Sequence, residues 1–156
     1  MEKVLVIMMG IQGSGKSTFY HQFLAKDFVR VNLDTLKTRN QEKLLIEDCI
    51  KKEKSFAIDN TNPTKADRGR YIPLAKASGY KVIGYFMESK LKDCIERNNM
   101  RQGKEKIPAI AIASTSNKLQ MPSFDEGFDE LYFVKNDGST MTVSEWREWY
   151  EFWWFR

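Results

Sequence analysis

The sequence predicts an α/β protein in which a mostly parallel sheet of five strands lies between two layers of helices. Three observations carry that prediction. Short apolar runs rich in β-branched residues alternate with amphipathic stretches of helical length from Lys3 to Val134, the pattern of successive βαβ units. The first run, Lys3 to Met9 (KVLVIMM), passes through a glycine-rich turn straight into a helical stretch. The second and third runs lead into or end on carboxylates, Asp34 and Asp59, and in such sheets ligands bind at the carboxyl ends of the strands.

Each element has its own signal. Lys3 to Met9 reads as a buried parallel strand, apolar throughout because both faces of such a sheet are covered. Ser17 to Ala25 is helical, with Phe19, Phe23 and Leu24 at helical spacing. Phe28 to Asn32 alternates like a second strand, and Gln41 to Lys52 has Leu44, Leu45, Asp48/Cys49 and Lys52 at helical spacing. Ser55 to Asp59 is a third strand, and Thr61 to Thr64 a turn whose last residue is placed to cap a helix from Lys65 to Ser78, closed by Gly79. Tyr80 to Met87 is a fourth strand. Ser89 is a candidate cap for a helix from Lys90 to Met100. Gln102 to Lys106 is polar and flexible, Pro108 starts a short helix, and Leu131 to Val134 is a fifth strand.

The turn after the first strand, Gly10 to Ser17, reads GIQGSGKS and fits G-x-x-x-x-G-K-[ST]. Phosphates are crowded with negative charge and need many donors at close range. Glycines at 10, 13 and 15 let the chain curl with its N–H groups inward, and the following helix adds its own free N–H groups and dipole. The candidate cradle for a nucleoside triphosphate is therefore Gly10, Gln12, Gly13, Ser14, Gly15, Lys16, Ser17 and Thr18, with Lys16 reaching the β- and γ-phosphates and Ser17 holding Mg²⁺. Asp34, 18 positions after Lys16, suits a general base that takes the proton of an attacking hydroxyl, or a helix cap. Asp59 ends an apolar strand as a Mg²⁺-supporting acid does, or orients the Asn60-Thr61-Asn62 loop. Arg97 and Arg101 are four apart on one helix face, beside the flexible Gln102 to Lys106, and read as a solvated basic face or as a candidate lid, the residues themselves favouring the first. If an acceptor cleft lies where Asp34 points, Lys37, Arg39, Arg68, Arg70 and Tyr71 would line it, since basic and aromatic groups together suit an anionic, aromatic polymer; taken singly, each charge reads as solvated.

Composition bounds these readings. The chain has 156 residues, 42% hydrophobic and 29% charged, ordinary for one globular domain with its own core. Its net charge of +4 permits a nucleic-acid partner without requiring one. No apolar stretch approaches the ~20 residues that span a bilayer, and no cationic leader precedes an apolar segment. Cys49 and Cys94 are far apart, so two reduced thiols in a cytoplasmic protein are expected, with no zinc site. His21 is expected on a helix surface. After a hairpin signal at Asp137-Gly138, the segment 137–156 is expected to form an aromatic-rich helical extension capped by Ser144. Trp146, Trp149, Tyr150, Trp153 and Trp154 share its face, docked on the sheet or offered to a protein partner or to bases.

Taken together these blocks resemble a known family. The glycine-rich loop, Val31 to Leu36, Asp59-Asn60-Thr61-Asn62-Pro63, Arg68 to Tyr71, Glu96 to Arg101 and Glu126-Gly127-Phe128 are similar in order and spacing to the kinase domain of polynucleotide kinase/phosphatases. The resemblance covers about Val4 to Val134. It implies a P-loop kinase-like fold with a helical lid, and transfer of the ATP γ-phosphate to the 5′-hydroxyl of DNA or RNA with Mg²⁺. Lys16 and Ser17 would then hold phosphates and metal, Asp34 would be the base, Arg97 and Arg101 would be lid arginines, and Arg68 and its neighbours would lie along the acceptor strand. Leu33 departs from the pattern, standing where that family commonly has an arginine, and the chain contains no D-x-D pair of a phosphatase. A kinase of a small hydroxylated metabolite and a nucleotide-dependent binding module are the other readings.

Overall fold

The computed structural model describes residues 2–103 and 106–147. Its centre is β1 (Val4–Met9), whose register runs parallel to β3 (Phe56–Ile58) on one side and to β4 (Lys81–Met87) on the other. Outside these lie β2 (Val29–Val31) next to β3, and β5 (Glu130–Asn136) next to β4, both parallel. A sixth strand, β6 (Met141–Glu145), pairs antiparallel to β5 and completes the order β2-β3-β1-β4-β5-β6.

Side chains of β1 alternate between two cores, as the period of a strand dictates. Leu5, Ile7 and Met9 pack with Ile46, Cys49, Ile72, Ala75, Cys94 and Ile112. Those partners belong to α3 (Arg39–Lys51), α5 (Ile72–Ala77), α6 (Leu91–Asn99) and α7 (Ala109–Lys118). Val6 and Met8 pack on the other face with Phe19, Tyr20 and Leu24. These lie on α1 (Lys16–Phe19) and the π-helical turn Tyr20–Leu24 that continues it. The three-layer arrangement expected from the sequence is present, with six strands instead of five.

Local chemistry explains most boundaries. Thr64 and Asp67 form a reciprocal capping box at α4 (Lys65–Arg68). The expected single helix from Lys65 to Ser78 is two, α4 and α5, separated by Gly69 to Tyr71. Thr38 caps α3, and Asn32 caps the short α2 (Leu33–Leu36) by accepting from the Thr35 N–H. Asp34 therefore sits inside α2 and is not its cap. Ser89 is no helix cap either: its hydroxyl donates to the Met87 carbonyl and accepts from the Ile11 N–H, inside the protein. The helical spacing of Leu44 and Phe23 misleads, since Leu44 is 51% and Phe23 55% exposed, whereas Glu42 is buried at 4%.

One part of the C-terminal expectation is corrected, the start of a helix at Ser144. Asp137 and Gly138 do make a hairpin turn, in which Asp137 accepts from the Thr140 and Ser139 N–H groups, holding its carboxyl down to about 2. The turn leads into β6, with Ser144 paired to Phe133, and no helix begins there. The β-branched Thr142 and Val143 favour a strand, and the free edge of β5 supplies its partner. Trp146 continues this pairing through its N–H to the Leu131 carbonyl, and its ring meets Phe86 edge-on at 5.4 Å. Trp149, Tyr150, Trp153 and Trp154 lie outside the described residues. Among the described residues, no helix is long and apolar enough to cross a membrane, and no group of three or more His, Cys, Asp or Glu is placed to hold a metal.

Candidate active site

The glycine-rich loop joins β1 to α1, and three side chains hold it by its carbonyl groups. Lys16 Nζ donates to Gly10 and Ile11 oxygens at 2.9 and 3.0 Å, Arg97 Nη1 to Gly13 oxygen at 3.0 Å, and Asn136 Nδ2 to Ser14 oxygen at 3.2 Å. The Gly10, Ile11 and Ser14 N–H groups are spent on the Thr61 carbonyl, the Ser89 hydroxyl and the Ile11 carbonyl, so the N–H groups an anion-binding concavity here would use are those of Gly13, Gly15, Lys16 and Ser17. Two glycines are required by space as well as by conformation. A Cβ on Gly13 (φ 82°) would stand 2.4 Å from the Cys94 carbonyl oxygen, and one on Gly15 (φ 98°) would stand 2.7 Å from Asn136 Nδ2. The side chain of Gln12 ties the loop to α7 through Thr115 at 3.1 Å.

A cavity of about 850 Å³ opens at this end of the sheet. Its wall includes Gly13, Gly15, Lys16 and Ser17 from the loop, Asp34 and Lys37 from α2 and its end, Asp59 after β3, and Arg101 beyond α6. The structure thus brings the glycine-rich loop, Asp34 and Arg101 to a single space. His21 also lines it, on an exposed helix surface. Thr18 is exposed on the first turn of α1. Burial lowers the Lys16 ammonium to about 8, against the opposing attraction of Asp59.

Asp59 is 1% exposed and accepts from Ser17 Oγ at 3.3 Å and from Arg30 Nε at 2.8 Å. A buried carboxylate beside a hydroxyl offers hard oxygen donors, the set that suits Mg²⁺. Ser14 Oγ is buried without a hydrogen-bond partner among the described residues, a hydroxyl that can donate to an anion; Gln12 Oε1 is likewise without one, but as an acceptor it offers a phosphate nothing.

Asp34 owes its position to a polar scaffold that the sequence did not reveal. Asn32 Nδ2 donates to the Asp59 carbonyl at 2.6 Å while its Oδ1 caps α2. Asn60 Oδ1 accepts from the Leu33 N–H at 3.0 Å, and Asn60 Nδ2 donates to Glu42 at 3.1 Å. Glu42 also accepts from the Tyr71 hydroxyl and from Arg39, both at 3.0 Å. Lys37, at the end of α2, takes a left-handed φ of 76°, the kind of backbone strain that collects at functional sites.

Several residues expected at the site are elsewhere. Arg68 is fully buried, forked onto Glu126 at 2.7 and 3.2 Å and donating to the Asn62 carbonyl, so none of it reaches the cavity. Tyr71 is buried in the Glu42 cluster, and burial pushes its phenol up to about 12. Arg70 is exposed but lies off the cavity wall. Arg97 spends its guanidinium on the Gly13 and Asn136 carbonyls, where it braces the loop, and only Arg101 of the pair faces the cavity. Of the groups placed for an acceptor, Lys37 alone lines that space. Arg30, Asn32, Glu42 and Asn60 are the residues that sequence reasoning passed over. The signal for Arg30 was its single cationic side chain within the alternation of Phe28 to Asn32.

Known proteins resemble this chain over most of its length. A family model described as "AAA domain" matches residues 5–122. The bifunctional polynucleotide phosphatase/kinase of Schizosaccharomyces pombe is 32% identical over 152 residues, covering 94% of this chain and 37% of that protein. A relative in Acanthamoeba polyphaga mimivirus, provisionally given the same name, is 32% identical over 140 residues, covering 85% of this chain and 33% of its own. The chain thus spans about a third of the length of these curated relatives. Among solved structures, a chain of the Pnkp1/Rnl/Hen1 RNA repair complex superposes with a TM-score of 0.63 at 23% identity, over 76% of this chain and 44% of that one.

Proposed function

Because the chain belongs to the AAA domain family through residues 5–122, we propose that it is an ATP-dependent phosphotransferase acting on the 5′-hydroxyl end of DNA or RNA. The observation that carries this reading is the shared cavity. A carboxylate on α2, Asp34, lines one space of about 850 Å³ together with Gly13, Gly15, Lys16 and Ser17 of the glycine-rich loop and with Lys37 and Arg101. The similarity to polynucleotide phosphatase/kinases over most of this chain supports the choice of acceptor.

The residues present account for the chemistry. Phosphoryl transfer asks little covalent work of a protein, so positioning and charge neutralisation carry the catalysis. The loop amides and Lys16 would hold the triphosphate, and Asp34 lines the same cavity. Asp34 accepts the proton of the attacking hydroxyl, which directs the oxygen's lone pair at phosphorus. Arg101 and Lys37 meet the charge that spreads over the transferred group and the acceptor's phosphates. Ser17 and Asp59 would hold Mg²⁺, which would supply further neutralisation of phosphate charge. The Asn32 and Asn60 side chains keep α2 rigid enough for the base to stay in line.

Asp34→Asn keeps the shape of α2 and removes the proton acceptor, so kcat is expected to fall on the order of 10² or more with ATP binding retained. Near-normal turnover in that variant overturns the assignment of the base. The acceptor class is tested by γ-labelled ATP with 5′-hydroxyl DNA and RNA oligonucleotides, a 3′-phosphorylated nucleoside, plain nucleosides and sugars. Label on oligonucleotide 5′ ends, weakening as salt rises, is the expected result. Label on a small hydroxylated compound alone assigns a metabolite kinase, and ATP turnover indifferent to every acceptor assigns a nucleotide-dependent binding module.

A further inference from the structure

The two side chains suited to a divalent ion are already held by a third. Arg30 projects from β2 and donates from Nε to Asp59 Oδ2 at 2.8 Å and from Nη2 to Ser17 Oγ at 2.9 Å. Its side chain remains 27% exposed and lines the cavity. The guanidinium also lies 5.8 Å from the centre of the Tyr20 ring, a cation–π distance. Tyr20 is itself fixed, buried in the π-helical turn with its hydroxyl donating to the Phe28 carbonyl at 2.6 Å. A planar fork is needed to engage a carboxylate and a hydroxyl at once while lying against a ring, which a lysine ammonium does less well.

Mg²⁺ requires the same oxygens at about 2.1 Å. Two cations cannot both occupy one side of a single buried carboxylate, because repulsion between charges a few ångströms apart is several times stronger in a partly buried site than in water. We propose that Arg30 is a placeholder cation, holding Asp59 and Ser17 in position until a divalent ion arrives with the nucleotide and then yielding both oxygens to it. The Tyr20 ring and the open cavity give the displaced guanidinium somewhere to go without leaving the site. The proposal rests on the kinase reading only for the metal–nucleotide complex and involves no acceptor.

The test is a titration of Mn²⁺, followed by its paramagnetic resonance, into protein saturated with a non-hydrolysable ATP analogue. Arg30→Met is expected to bind Mn²⁺ about tenfold more tightly than the unaltered chain, because a competing charge is gone, with Arg30→Lys between the two. Unchanged or weaker Mn²⁺ binding in a folded Arg30→Met protein overturns the proposal. A second measurement needs no variant for its readout. In the unaltered protein labelled with ¹⁵N-arginine, the Arg30 Nε–H resonance should shift and exchange faster with water when Mg²⁺ joins the analogue complex. A resonance that stays unmoved with metal bound also overturns it. No oligonucleotide is present in either experiment, so failure of the acceptor reading and failure of this proposal are read separately.

Discussion

Arg68→Met should cost about 3–5 kcal/mol of folding stability, the range for removing one partner of a buried ion pair, and should leave the kinetics of the surviving folded protein nearly unchanged. Arg68 is 0% and Glu126 8% exposed at their side chains. The guanidinium satisfies both carboxylate oxygens of Glu126 and the Asn62 carbonyl. Removing it strands the carboxylate, whose remaining partner is the Ser123 N–H at 2.9 Å. Arg68→Lys should recover little, since one ammonium cannot span the fork. Arg68→Met with Glu126→Leu should recover most of the loss, because an apolar pair of similar volume no longer asks for solvation. Urea unfolding measures all three. The opposite pattern, normal stability with a raised KM for oligonucleotide, would restore Arg68 to the acceptor path that the sequence suggested.

That contrast marks where sequence reading succeeds and where it stops. The glycine-rich loop was legible because its chemistry is local: glycines, Lys16 and Ser17 fall within eight residues between a strand and a helix. Asp34 and Asp59 were legible because the ends of parallel strands converge on one edge whatever the loops between them do. Arg68 was not, since its partner is 58 positions away, and a buried arginine looks the same in a sequence as a solvated one. Arg97 misled for the same reason, its acceptors lying 84 and 39 positions off. The motif residues Arg68, Tyr71 and Glu126 make the family recognisable, yet here they hold the fold together around the site and do not line it. Glu42 was hidden by its charge, which argued for a solvated helix face until Asn60, Tyr71 and Arg39 supplied it with donors. At Met141–Glu145 two periods compete: the helical spacing that starts at Trp146 argued for a helix capped by Ser144, while the β-branched Thr142 and Val143 favour a strand, and the open edge of β5 decides for the strand over that segment.

Lys16→Ala should lower kcat by on the order of 10²–10³, the loss expected when one charged group aimed at developing negative charge is removed. The reason lies in how the side chain is held. Its ammonium donates to the Gly10 and Ile11 carbonyls, inside the ring of the loop itself. Burial has drawn its pKa from 10.5 to about 8, so the charge is costly where it stands and a phosphate oxygen is a better partner than either carbonyl. Between about pH 8 and 10.5 the folded chain binds fewer protons at Lys16 than the unfolded chain, so this group makes stability rise with pH across that window. ATP affinity runs the other way. It should fall as pH passes about 8, because binding must then restore the proton, and it should stay flat in Lys16→Arg, whose charge does not titrate there. Calorimetry of ATP binding in buffers of different ionisation enthalpy reads the proton uptake directly, and single-turnover transfer reads the rate. An Ala variant that transfers phosphate within tenfold of the unaltered enzyme would mean that Arg101, facing the same cavity, carries the charge instead, and the pH dependence of ATP binding would vanish with it.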